Sequence, residues 1–176
     1  MNKKYPWKQA LITGLITGIF AIGSFAITDS LNKKLGWGMQ TATLRGLTGL
    51  LTLVILGIGI YTGMRRIKKS NSGKLTYGQA VLAGFIIALV TGVITALISL
   101  FYCTMINPGY TAYMIAESKK AMSADGKNMA EITAATPVLE QQWSNAGQMI
   151  QALIGQTVCG TVIALILGIF IKTKKQ

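Results

Sequence analysis

The sequence predicts an all-α membrane protein: four transmembrane helices with a helical external segment between spans three and four. The 176-residue chain is 51% hydrophobic and only 12% charged, whereas about 25% charged residues is typical of a soluble domain. Four long apolar runs divide the chain, and about 20 apolar residues suffice to cross a hydrocarbon core of about 30 Å. A single four-span membrane domain over residues 1–176 is therefore expected.

The predicted spans cover about residues 7–28, 44–64, 77–106 and 147–171. In hydrocarbon each backbone polar group needs an internal partner, which favours helices for continuous apolar runs of this length. Transmembrane β-strands would be about ten residues long, with strict alternation of polar and apolar side chains. Proline is absent from all four runs, so the sequence forces no kink in any of them.

The first run has an alternative interpretation. A short basic start, an apolar stretch and Ser24-Phe25-Ala26 resemble a cleavable signal peptide. The apolar run is longer than the hydrophobic region of a typical signal peptide. A retained transmembrane helix is therefore the favoured interpretation.

The distribution of the basic residues, which give the chain a net charge of +12, predicts its orientation in the membrane. Basic residues cluster before the first span, after the second span and in the tail, whereas all 5 acidic residues fall in the other two connections. The positive-inside rule then places both termini in the cytoplasm and residues 107–146 outside. Basic clusters that flank apolar runs indicate topology and contact with lipid head groups. Nucleic acid is not expected as a partner, because its recognition needs a basic face interleaved with side chains that read bases.

The connection of about residues 107–146 is predicted to form an external helical cap. Asn107-Pro108-Gly109 should end the third helix, and residues 110–123 should form a short helix. Thr136 and Pro137 suggest a second helix start, with threonine as the N-cap and proline in the first turn. One unbroken helix is therefore expected over residues 137–172, roughly 54 Å long.

An apolar stripe runs through this region at steps of three and four residues, which places its members on one helical face. They are Met129, Ile132, Thr136, Leu139, Trp143, Ala146, Ile150 and Leu153. We expect Leu139, Trp143 and Ala146 to pack on the helix of residues 110–123. A face for a partner protein is the alternative.

Few residues could carry chemistry. The chain has no histidine, the commonest metal ligand and the usual general base near neutral pH. Cys103 and Cys159 are too few for a zinc site and are interpreted as buried free thiols. Asp29 lies at the outer edge of the first span, where a helix end or an ion pair with Lys33 explains it. We expect no enzyme activity, no catalytic residue, no cofactor and no metal.

Two glycine pairs, Gly14 with Gly18 and Gly59 with Gly63, have the spacing that lets membrane helices approach closely. Packing within one bundle is favoured, and dimerisation is the alternative.

Four local patterns resemble a known family. They are Trp7-Lys8-Gln9-Ala10, the pair Arg65-Arg66, residues 73–80 (Gly-Lys-Leu-Thr-Tyr-Gly-Gln-Ala) and Asn107-Pro108-Gly109-Tyr110. On these patterns the chain resembles an uncharacterised family of small bacterial inner-membrane proteins, the domain of unknown function numbered four-one-nine-nine. The resemblance covers nearly the whole chain. It implies four spans in a bacterial inner membrane, and it implies no activity and no functional residue.

Two functions stay open. A non-enzymatic scaffold or accessory protein of the cell envelope is favoured, because the spans contain neither buried charge nor a catalytic set. The alternative is a small-solute transporter or channel, acting as an oligomer, although such proteins usually have charged residues or broken helices at mid-membrane. The expected partners are the lipid bilayer and either another membrane protein or further copies of the chain.

Overall fold

Six α-helices and one π-helical turn make up the described chain. The computed structural model describes residues 6–35 and 38–173, without the side chains of residues 28, 29 and 31–45. The helices are α1 (Trp7–Leu35), α2 (Gly38–Ser70), α3 (Tyr77–Phe101), α4 (Tyr110–Ala124), α5 (Met129–Trp143) and α6 (Asn145–Ile171), with the π-turn at Tyr102–Ile106. Within these residues there is no β-strand.

Four helical segments are long and apolar enough to cross a membrane: Trp7–Ile27, Gly46–Ser70, Tyr77–Ile106 and Asn145–Ile171. The all-α architecture with four such helices is confirmed, and the chain is a multi-pass membrane protein. α1 and α2 run further than predicted, so the first two loops are shorter than expected. Lysine and arginine at the end of α2 favour this continuation, because both are good helix formers and suit the negative end of the helix dipole.

α3 is the central helix of the bundle and packs on α1, α2 and α6. A Cβ atom added at Gly84 of α3 would meet Ala164 of α6, and one added at Gly160 of α6 would meet Ala88 of α3. These two helices therefore approach almost to backbone contact, as small residues permit in membranes. The core around them consists of Ala10, Leu56, Ile60, Met64, Leu75, Ala80, Ile87, Ala164 and Ile171.

Both predicted glycine pairs lie at contacts inside this bundle. Gly14 and Gly18 of α1 receive isoleucine side chains of α3, and Gly59 and Gly63 of α2 receive side chains from α1 and α3. The close approach of helices that the spacing predicted occurs within one chain.

The predicted helix start at Thr136 and Pro137 is wrong, because a stronger start precedes it. α5 begins at Met129, where the Asn128 side chain accepts from the Glu131 amide and the Glu131 carboxylate accepts from the Asn128 amide, both at 2.9 Å. This reciprocal capping box satisfies two amides that a helix start otherwise leaves unpaired. Pro137 then lies inside α5 on its exposed side, where water can bind the carbonyl that lacks a proline N–H donor.

The expected unbroken helix of residues 137–172 is also wrong. The chain breaks at Ser144 (φ −59°, ψ 157°), whose side chain caps α6 by accepting from the Gly147 amide at 3.0 Å. Side chains supply donors to the last carbonyls of α5: Gln148 Nε2 to Trp143 (2.8 Å), Gln151 Nε2 to Gln142 (2.9 Å) and Ser144 Oγ to Gln141 (2.7 Å). The break persists because these carbonyls stay satisfied.

The break also divides the predicted stripe. Ile132 is buried and Leu139 and Trp143 are half-buried, whereas Ala146 and Ile150 are exposed. The expected packing of Ala146 on the helix of residues 110–123 is therefore wrong, because residues after the break at Ser144 no longer follow the helical face of α5. We call α4 and α5 together, residues 110–143, the cap.

Candidate functional site

A groove of about 340 Å³ opens at the end of the bundle that carries the cap. α1, α2, α3 and α6 form its sides, and Tyr110 and Trp143 of the cap border it. Small-molecule sites usually have volumes of about 300–1,000 Å³. Its polar lining includes Ser24, Thr52, Thr95, Ser99, Gln148 and Gln156. We call this cavity the cap groove.

Three aromatic rings join the cap to the bundle beside the groove. Phe25 of α1 lies with its ring centroid 6.0 Å from Tyr102 and 5.8 Å from Tyr110, and the two tyrosine rings are 5.6 Å apart. The π-turn places both Tyr102 and Cys103 in the interior, because one extra residue per turn rotates the end of the span.

Trp143 is held at the rim of the groove by contacts at both of its ends. Its indole Nε1 donates to Ser118 Oγ at 3.1 Å, and its backbone carbonyl accepts from Thr111 Oγ1 at 3.0 Å. Both partners lie on α4, so these bonds fasten the end of α5 to α4. The position of the indole is therefore set by the cap itself.

Some polar groups of the groove lining already have a hydrogen-bond partner within the protein, and others do not. Ser24 and Thr52 donate to carbonyls of their own helices, at 2.7 and 2.8 Å. Thr95 Oγ1 and Gln156 Oε1 are buried, and neither has a hydrogen-bond partner among the described residues. A buried polar atom without a partner costs about 1–3 kcal/mol. These two atoms are therefore the groups of the groove lining that the fold itself leaves unsatisfied.

A line of hydroxyl groups continues from the groove into the bundle. Thr91, Thr95 and Ser99 recur every fourth residue on α3 and are all buried, so they share one helical face. The hydroxyls of Thr17, Thr91 and Thr157 likewise lack partners among the described residues. This site was not predicted from the sequence, although hydroxyl residues at four-residue spacing in an apolar span are visible there.

The family comparison covers the groove and all of the helices around it. Residues 8–173 match the model of a family described as a protein of unknown function, DUF4199. The chain belongs to the DUF4199 family. This confirms the predicted resemblance. A search of curated proteins and a search of solved structures each returned no match.

In this DUF4199 chain the described lining of the groove contains no aspartate, glutamate, lysine, arginine or cysteine. In the described part of the chain, no group of three potential metal ligands comes together. Such a site can recognise a molecule through hydrogen bonds and aromatic contacts.

The other residues that the sequence singled out do not line this site. Cys103 and Cys159 are both free, and Cys103 Sγ lies 3.4 Å from Gln148 Oε1 behind the wall of the groove. The side chains of Asp29 and Lys33 lie outside the described residues.

Proposed function

We propose that this chain is a non-enzymatic membrane protein that binds a small uncharged molecule in the cap groove. The observation that carries the proposal is the pair of buried, unpartnered atoms Thr95 Oγ1 and Gln156 Oε1, both on residues that line the groove. Gln156 Oε1 can only accept a hydrogen bond, whereas the Thr95 hydroxyl can donate or accept one. A ligand with hydroxyl or amide N–H groups would satisfy both atoms once the two side chains turn toward the groove.

The lining also indicates the ligand's charge and shape. A charged group buried without a counter-charge costs far more than a neutral polar group, and the described lining offers no such counter-charge. Phe25, Tyr110 and Trp143 supply aromatic surface, on which a flat or apolar part of a ligand packs favourably. The proposed ligand is therefore neutral, partly apolar and able to donate hydrogen bonds.

This proposal refines the accessory or scaffold role that the sequence favours. A scaffold of the cell envelope needs no internal cavity, so the groove supports ligand binding as the activity of the protein. A small-solute transporter or channel is the second candidate. The partnerless hydroxyls of Thr17, Thr91 and Thr157 support it, because they are polar groups buried inside the spans beyond the lining of the groove.

We further propose that the protein lies in the cytoplasmic membrane of a bacterium, with both termini in the cytoplasm and the cap outside. The charge pattern supports this orientation, because the acids fall at Asp29 and within the cap while basic residues dominate the other end. Reporter fusions after Ser70 and after Lys127 should report the cytoplasmic and external sides respectively. If both fusions report the same side, the orientation is refuted.

Native mass spectrometry of the protein purified from its own membranes tests ligand binding. We expect a small neutral adduct at one copy per chain. Thr95→Val and Gln156→Leu should each lower its occupancy about fivefold or more, since each removes a hydrogen bond to the ligand. Flux of the released adduct through liposomes containing the protein then separates a transporter from a binding protein.

Thr104→Val is the matched control. Thr104 is exposed near the end of the same span, and its hydroxyl donates to the Leu100 carbonyl of its own helix at 2.8 Å. The control should retain the adduct. Equal occupancy in all three variants, or no adduct in the wild-type protein, would overturn the proposal.

A further inference from the structure

A second cavity, of about 180 Å³, lies at the opposite end of the bundle, between the start of α1 and the end of α2. Its polar lining consists of Lys8, Gln9, Arg66 and Ser70. We call it the basic pocket. It does not share any lining residue with the cap groove, so the two cavities can bind ligands independently.

The two cations of the basic pocket lack an internal counter-charge. Among the described residues neither Lys8 nor Arg66 forms an ion pair, since the described pairs lie in the cap. Lys68, two residues after Arg66, does not contribute to the pocket, because its ammonium donates to the Ile171 carbonyl at 2.8 Å. Lys8 and Arg66 thus leave a concave, positively charged site open to an anion.

An aliphatic surface continues from this pocket along α1. Ile12, Ile16 and Ile19 follow Lys8 at steps of four, four and three residues, which places them on the same helical face. Their exposed fractions rise from 37% to 51% and 67%. In a bilayer this face contacts acyl chains, while the end of the span lies at the depth of the lipid phosphates.

We propose that the basic pocket binds the phosphate of an anionic phospholipid between Lys8 and Arg66. The guanidinium of Arg66 can donate two parallel hydrogen bonds to phosphate oxygens, and Lys8 adds a point charge. Gln9 and Ser70 supply neutral donors. The acyl chains lie along the isoleucine face of α1, which is the contact that free phosphate lacks.

Lipid titration of the purified protein, read by native mass spectrometry, tests this site. The probes are phosphatidylglycerol, phosphatidylcholine and inorganic phosphate. We expect one phosphatidylglycerol molecule to bind more tightly than phosphatidylcholine. The double variant Lys8→Gln/Arg66→Gln should weaken phosphatidylglycerol binding about thirtyfold. Inorganic phosphate should not displace the lipid at equal concentration.

The double variant Lys69→Gln/Lys74→Gln is the matched control. It removes the same charge from two exposed residues at the same end of the bundle, and neither residue lines the pocket. It should keep nearly all of the preference for phosphatidylglycerol. Arg66→Lys alone, which retains the charge but cannot donate two parallel hydrogen bonds, should lose less of the preference than Lys8→Gln/Arg66→Gln does.

Two results would overturn the proposal. Equal loss of affinity in both double variants would mean that the overall positive charge at this end of the bundle attracts the lipid, without a defined binding site. Displacement of the lipid by inorganic phosphate would make the pocket a site for a soluble anion.

Discussion

The two halves of the bundle are built from the same four helices but fill their interiors differently. In the half near the basic pocket, α3 buries Ala80, Gly84 and Ile87, and the helices meet over small residues. In the half near the cap, α3 buries Thr91, Thr95 and Ser99 as well as Gly92 and Ala96, and the helices leave a groove on one side. Buried hydroxyl groups on α3 therefore distinguish the half in which the groove opens from the half that is closed.

The two halves of the bundle contribute differently to the stability of the protein. The closed half gains dispersion contacts at close helix packing, whereas the open half keeps buried hydroxyls without partners and so loses stability. Folding alone gives no reason to retain such groups. Proteins tend to break packing rules where a function depends on it, and this contrast is the physical basis for proposing a ligand site in the cap half.

The largest effect is expected from overfilling the closed half. A Cβ at Gly84 would collide with Ala164 and lie 3.0 Å from Met64 Cε, so Gly84→Val should destabilise the protein by about 3 kcal/mol. Gly155→Val is the control, because no heavy atom lies within 4 Å of its added Cβ. Unfolding of both purified variants in denaturing detergent measures the difference, and equal unfolding midpoints would contradict the packing described for α3 and α6.

A smaller effect is expected at the junction of cap and bundle. Trp143→Ala should cost about 2 kcal/mol, less than the 3–5 kcal/mol for a fully buried ring, because Trp143 is only half-buried. Membrane insertion should be unchanged. Limited proteolysis of the cap reports the loss. Met129→Ala, on the same helix at 77% exposure, should leave the digestion rate unaltered, and similar sensitivity in both variants would refute the anchoring role of the indole.

The smallest effect is expected at Thr91, where a substitution should stabilise the protein. Thr91 is fully buried, and its hydroxyl has no partner among the described residues. Thr91→Val keeps the shape and removes the polar atom, so it should stabilise the ligand-free protein by about 1 kcal/mol. Thermal denaturation with Thr104→Val as the neutral control measures this. Destabilisation by Thr91→Val would mean that this hydroxyl already has a bound partner, and the line of hydroxyls would need another explanation.

Composition and run length were enough to predict the spans, but not the chain between the third and fourth. Asn128 with Glu131 and Thr136 with Pro137 are both valid helix starts by sequence. The first prevails because its capping box is reciprocal. The break at Ser144 depends on Gln148 and Gln151 reaching back to free carbonyls, and residue spacing alone does not rank that arrangement above a continuous helix.

The groove itself could not be predicted from the sequence. The spacing of Thr91, Thr95 and Ser99 is visible in the sequence and predicts a shared face. Whether that face meets lipid, another helix or a cavity depends on how four helices rotate about their axes. The rotation follows from contacts such as Gly160 on Ala88, which become evident only in the assembled bundle.

The most direct test of the account is the reactivity of single cysteines toward N-ethylmaleimide, a small uncharged reagent. In a chain with Cys103→Ala and Cys159→Ala, the variants Thr52→Cys and Ile87→Cys place one thiol at the half-buried wall of the groove and one in the closed half of the bundle. We expect that Thr52→Cys reacts readily, that a bound ligand slows the reaction, and that Ile87→Cys stays unmodified. Equal reactivity of the two thiols, whether high or absent, would contradict an accessible site confined to the cap half.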